Sequence, residues 1–121
     1  MRTVLIVDDE FGVADVLVAA LEDEGYRVFT AANGRQGLER LAENKPDLVV
    51  LDFMMPLLDG PGMARAMRAE RAYEAIPIIM MSAVGEAAVR ERFDGYAAFL
   101  RKPFSIPVFL KTVAGVIAGR S

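Results

Sequence analysis

The 121-residue sequence contains no cysteine and no histidine. Without cysteine neither a disulfide framework nor a Cys-based zinc site can form, and a reducing, cytoplasmic setting is the expectation. Without histidine the commonest general base and metal ligand is missing. Any chemistry must therefore run on carboxylates, lysine or arginine, hydroxyls, the backbone, or a borrowed metal. A basic stripe is also lacking, and the net charge is −3, so no direct nucleic-acid partner is expected. No apolar run is long enough to span a membrane, so none is expected as a partner. The opening "MRTVLIVDDE" is no signal peptide either, because its apolar run is short and ends in acids. There is no repeat, linker or low-complexity segment.

What is present is a chain of 54% hydrophobic residues, enough for a real core at a length that suits one domain, residues 1–121. Short apolar runs alternate with amphipathic ones. Val4–Val7, Val28–Ala31, Leu48–Leu51, Ile78–Met81 and the run "AAFLRKPF" read as strands. Helical spacing appears over Phe11–Glu24 (Val13, Val16, Leu17, Ala20, Leu21), with Gly25 at its C-terminal stop. Asn33 begins a second helix, "FMMPLLDGPG" reads as a loop, and Met63–Ala72 is the third helix. Glu86–Phe93 is a short fourth, and Ser105 caps a last helix carrying Phe109, Leu110, Val113, Val116 and Ile117.

Five strands alternating with five helices predict an α/β fold with a doubly wound parallel sheet. The strands are apolar throughout, as they are when helices cover both faces. In such sheets ligands bind beyond the carboxyl ends of the strands. Asp8 and Asp9, Asp52, Ser82 and Lys102 each stand just past such an end, on four different strands.

Acids at the end of buried strands pose an electrostatic problem. Two carboxylates about 4 Å apart repel by about 4 kcal/mol at an effective dielectric of about 20. A hard cation resolves it, and Mg²⁺ takes one or two carboxylates, keeps waters and adds phosphate oxygens. An aspartate is a known nucleophile toward phosphorus, and phosphoryl transfer asks chiefly for positioning and charge neutralisation. The acids thus point to Mg²⁺, one of them to a phosphoryl acceptor, and Lys102 and Ser82 to partners for phosphoryl oxygens.

"VLIVDDE", "PDLVVLDFMMPLLDG", "MSA" and "FLRKPF", in that order and over nearly the whole chain, resemble the receiver domain of bacterial two-component response regulators. The resemblance implies a flavodoxin-like fold with strand order 2-1-3-4-5. It implies that Asp52 accepts a phosphoryl group from a phosphohistidine on a sensor histidine kinase or phosphotransfer protein. Asp9, Asp52 and the Met54 carbonyl would bind Mg²⁺, with Asp8 acting mainly through water. Ser82 would hydrogen-bond the phosphoryl group, Ala83 would leave it room, and Lys102 would pair with it across a cis Lys102–Pro103 bond. Ser82 and Phe99 would be the switch pair that remodels the face of the fourth helix, fifth strand and fifth helix for a downstream target. Such a chain catalyses only its own phosphorylation and self-dephosphorylation, so it is not expected to be an enzyme proper.

Two departures qualify the pattern. The stretch from Ser82 to Phe99 is short, which predicts a stunted fourth helix. The last helix carries only Lys111 as a charge between Ile106 and Gly119. Alternatives remain: a pseudo-receiver that only docks partners, an aspartyl-phosphate phosphatase, or a flavin or nucleotide carrier. Met54 stands where a phosphatase of the haloacid dehalogenase type places a second Asp, and "DDEFGV" has the wrong sign for a phosphate-binding loop. The chain stops with "AGRS", which leaves a free-standing regulator or a piece of a longer one.

Overall fold

The computed structural model describes residues 1–119; Arg120 and Ser121 lie outside the described residues. Five strands, β1 (Thr3–Val7), β2 (Arg27–Ala31), β3 (Leu48–Asp52), β4 (Ile78–Ser82) and β5 (Ala98–Arg101), alternate with five helices. These are α1 (Phe11–Asp23), α2 (Gly34–Asn44), α3 (Gly60–Ala69), α4 (Glu86–Arg92) and α5 (Ile106–Gly119). All strand pairs are parallel and the order is β2-β1-β3-β4-β5.

Strand side chains alternate between faces, so each apolar run feeds two cores at once. Leu5, Val7, Val49, Leu51, Ile78 and Met80 pack with Leu41 of α2, Met63 and Met67 of α3 and Val89 of α4. Val4, Ile6, Leu48, Val50, Ile79 and Met81 pack on the opposite face with Leu17 and Leu21 of α1 and Phe109, Val113 and Ile117 of α5. Both faces being covered, β3 and β4 are buried along their whole length. Asp52 and Ser82 thereby belong to the sheet itself, as the last residues of strands that run one residue past the ends read from the sequence.

Several boundaries differ from expectation by one residue, and those of α3 by more. α3 starts at Gly60 and ends at Ala69, three residues earlier at each end. The reason lies in the loop's own residues: the Asp59 side chain accepts from the Gly62 N–H at 2.8 Å, and Pro61 sits in the first turn. An N-cap acid followed by proline starts a helix and does not prolong a loop. α1 ends at Asp23, where Gly25, at φ +91°, reverses the chain. Within α1, Ala14 is buried in place of Val16, which is 54% exposed. As expected, α4 is short, at seven residues.

Gly60 positions the site directly. A Cβ there would collide with the Asp52 carbonyl oxygen and come within 3.0 Å of the Phe53 Cα. The Gly60 N–H also donates to the Phe53 carbonyl at 3.0 Å, so α3 starts against the backbone of Asp52. Gly60→Ala is expected to destabilise by about 1–3 kcal/mol, because backbone must move to admit the methyl. Gly12→Ala, in open space on α1, is the control and should be neutral or stabilising by up to about 1 kcal/mol. Urea midpoints check both; a Gly60→Ala midpoint equal to the parent's would refute the close-approach argument.

Candidate functional site

The parallel register brings the strand ends to one level. Val7 of β1 pairs with Leu51 of β3, Asp52 with Met81 of β4, and Ser82 with Arg101 of β5. Ladder-like bonds continue past the strands: Asp8 N–H to Ala31 O at 3.0 Å, Phe53 N–H to Met81 O at 2.8 Å, and Lys102 N–H to Ser82 O at 2.8 Å. Backbone pairing on either side thus fixes the Cα positions of Asp8, Asp52, Ser82 and Lys102. The Lys102–Pro103 peptide bond is cis.

The side chains converge around the lysine. Lys102 Nζ donates to Asp8 Oδ2 at 3.1 Å and lies 3.2 Å from Asp52 Oδ1 and 3.6 Å from Glu10 Oε1. Asp8, Asp52 and Ser82 are the buried polar residues among those described. Lys102 pairs with three acids of a cluster of four: Asp8, Asp9, Glu10 and Asp52 each offer a carboxylate oxygen within 4.8 Å of the others. Burial, with the Asp8 charge next, pushes the Asp52 carboxyl up to about 6, against the opposing pull of Lys102. Burial alone would lower Lys102, but the charges of Asp52 and Asp8 reverse this and raise it above the ordinary lysine value.

A cluster of hard oxygen donors with one cation among them suits a further hard cation of the Mg²⁺ type better than a soft metal. The upward push on Asp52 is the physical sign that Lys102 alone does not neutralise the group. Beside the cluster opens a cavity of about 100 Å³, lined by Asp52, Met54, Ser82, Ala83, Val84 and Lys102 among others.

Of the residues singled out from the sequence, Asp8, Asp9, Asp52, Ser82 and Lys102 come together here, and Met54 stands at the rim, 69% exposed. The Ser82 hydroxyl accepts from the Val84 N–H at 3.0 Å and so faces its own loop. Phe99 lies apart on β5, half-buried, its ring centroid 6.1 Å from that of Tyr96. Glu10 is the residue that sequence reasoning passed over. The signal was present in the acid run, but its role needs the local fold: Asp8 Oδ1 accepts from the Glu10 N–H at 2.9 Å, which turns Glu10 back toward Lys102.

A larger apolar groove of about 560 Å³ adjoins the cluster, with Val13, Val16, Leu17, Phe104 and Ile106 along it and Glu10 and Lys102 at its end. Phe11, 70% exposed, precedes it on α1. Among the described residues no helix is long and apolar enough to cross a membrane.

Known proteins share this architecture. The response regulator receiver domain family matches residues 4–114. A probable transcriptional regulator, ycf27, of Cyanophora paradoxa is 41% identical over 86% of this chain and 43% of its own length. The DNA-binding dual master transcriptional regulator RpaA of Synechocystis is 30% identical over 97% of this chain and 49% of its own. The solved chemotaxis response regulator CheY4 of Vibrio cholerae superposes with a TM-score of 0.90 at 31% identity, covering 96% of this chain and 98% of that one. The receiver domain of the sensor histidine kinase PA1611 from Pseudomonas aeruginosa, solved with a magnesium ion in its active-site cleft, gives 0.89 at 28% identity, covering 97% and 98%.

The chain spans about half the length of the curated relatives it matches. These relatives correct one expectation. The absence of a basic stripe argued against any nucleic-acid partner, yet they are transcriptional regulators and one is named as DNA-binding. Net charge reports only on the residues that carry it, and the matched segment is less than half of each relative.

Proposed function

Because the chain belongs to the response regulator receiver domain family, we propose that it takes a phosphoryl group from a phosphohistidine of a sensor kinase or phosphotransfer protein onto Asp52. The observation that carries this reading is the buried Asp52–Lys102–Asp8 cluster, opening onto a cavity shared with Ser82. In the transfer an Asp52 carboxylate oxygen bonds to phosphorus and the P–N bond to the donor imidazole breaks, its electron pair staying on nitrogen. Lys102 exchanges its bond to Asp52 for one to a phosphoryl oxygen. Ser82 releases the Val84 N–H and donates its hydroxyl to another.

Asp8, Asp9, Asp52 and the Met54 carbonyl would hold Mg²⁺, with Glu10 within reach, and the ion would neutralise charge on the transferring group. Phosphorylation adds about −1.5 to −2 charge to a cluster of four acids in which Lys102 already pairs with three. That favours rearrangement of the Ser82 loop, and with it Phe99 and the face of α4, β5 and α5. Residues 1–121 then act as one receiver unit whose turnover is confined to its own phosphorylation and dephosphorylation. By the names of its relatives, the output is control of transcription.

A protein donor must bring its phosphohistidine to Asp52, and the apolar groove between α1 and Phe104 ends at Lys102. Val16→Asp places a charge in that groove, away from the acids. Transfer from a phosphorylated histidine phosphotransfer domain is expected to fall at least tenfold, by the loss of an apolar contact and the burial of a charge. Phosphorylation by acetyl phosphate should stay at the parent rate. Equal loss with both donors would contradict the docking role. No transfer from either donor to the parent protein would contradict the phosphoacceptor reading itself.

A further inference from the structure

The short helix α4 has little to hold it. Val89 is its one buried residue, and Gly85 before it supplies no side-chain cap. Seven residues with one core contact are marginal as a helix, so polar ties decide its pose. Glu86 at its start accepts from the Tyr96 hydroxyl at 2.7 Å, and a set of three contacts converges on Arg92, its last residue. Arg92 Nη2 lies 2.9 Å from Asp59 Oδ2, its guanidinium stands 5.8 Å from the centre of the Phe53 ring, and its carbonyl accepts from Arg65 Nη1 at 2.8 Å. An exposed ion pair alone is weak. Here the cation is also held over an aromatic face, and its charge lies at the helix end that favours it.

The partners of Arg92 lead back to the acceptor. Phe53 follows Asp52 directly, and its carbonyl accepts from the Gly60 N–H at 3.0 Å. Asp59 spends its other oxygen on the first turn of α3, at Gly62, 2.8 Å away. Gly60, between them, is pressed against the Asp52 carbonyl. A movement of the Asp52–Phe53 backbone therefore shifts both groups that Arg92 grips. Phe99 takes no part in this set.

We propose that Arg92 is a positioning residue that latches α4 to the segment following Asp52 in the unphosphorylated protein, so that phosphorylation and release of α4 favour each other. The coupling rests on the phosphoacceptor reading; the latch does not. Loosening the latch raises the population of the released state, the one that takes up the phosphoryl group more readily.

The test compares the parent with Arg92→Gln, Asp59→Asn and the double variant; Asn keeps the α3 cap that an Ala would remove. Amide hydrogen exchange in the α4 segment, residues 86–93, should quicken about fivefold in each single variant and no further in the double. Phosphorylation by acetyl phosphate should quicken in the same three proteins, an effect that a merely structural ion pair would not produce. Unchanged α4 exchange overturns the latch. Faster exchange with a phosphorylation rate at or below the parent's overturns the coupling. A parent that takes no phosphoryl group at all removes the acceptor reading and the coupling with it, while exchange still decides the latch.

Discussion

Lys102→Met is expected to destabilise the metal-free protein by about 2–4 kcal/mol at neutral pH. The lysine is 15% exposed and bridges the fully buried Asp8 and the nearly buried Asp52. Removing it leaves two carboxylates facing each other with no cation, beside Asp9 and Glu10. Breaking one side of a buried pair carries the desolvation penalty of the charges left behind, and the opening to solvent keeps the figure below the full range for buried pairs. The folded-state value of Lys102 is raised, so its contribution is complete below the ordinary lysine value of 10.5 and is lost only as pH rises beyond it. The deficit of the variant should hold across the neutral and mildly alkaline range. It should narrow as pH falls toward about 6, because without the opposing pull of Lys102 the variant's Asp52 takes up its proton above the parent's value. Added Mg²⁺ should recover part of it. Urea unfolding across pH with and without Mg²⁺ checks this, and a variant as stable as the parent at pH 8 would contradict it.

Asp52→Asn should move stability the other way, a gain of about 1–2 kcal/mol at pH 7–8 in metal-free buffer. Burial and the Asp8 charge raise the folded-state value of Asp52 from 3.8 to about 6. The native state therefore prefers the protonated carboxyl. Its favourable share is complete below 3.8 and is lost as pH rises through about 6. At neutral pH the parent carries an unfavourable charge that the amide does not. That rise corresponds to about 3 kcal/mol, and solvent access to the crevice with the remaining pull of Lys102 reduces what the substitution recovers. The melting temperature should rise by about 3–8 °C at pH 8 and by nothing below pH 4. A variant no more stable than the parent at pH 8 would mean that the acids are already balanced. The opposite signs of the two substitutions come from one cause, a site built with more negative charge than its lysine can neutralise.

Much of this arrangement was legible in the chain. Apolar strands each ending in Asp8, Asp52, Ser82 or Lys102 could be placed on one edge before any coordinates, because a parallel sheet aligns its carboxyl ends. The strand order followed from resemblance, and the structure bears it out. Less legible was everything set by local caps and cross-chain arginines. The loop after β3 looked unstructured by its Pro and Gly content, yet Asp59 and Pro61 start α3 there. Glu10 reaches Lys102 only because Asp8 turns the chain. Val16 fits helical periodicity as well as Ala14 does, but α1 buries the smaller residue and leaves Val16 along the groove. The contact of Arg92 with Phe53 spans 39 positions, between residues that no spacing rule connects.

The central claim is that Asp52 accepts a phosphoryl group in a site completed by a divalent cation. Intact mass after incubation with acetyl phosphate, with and without Mg²⁺, on the parent and on Asp52→Ala, tests it most directly. The account predicts the gain of one phosphoryl group by the parent, dependent on Mg²⁺ and absent from Asp52→Ala. A gain that survives Asp52→Ala, or that ignores Mg²⁺, would contradict it.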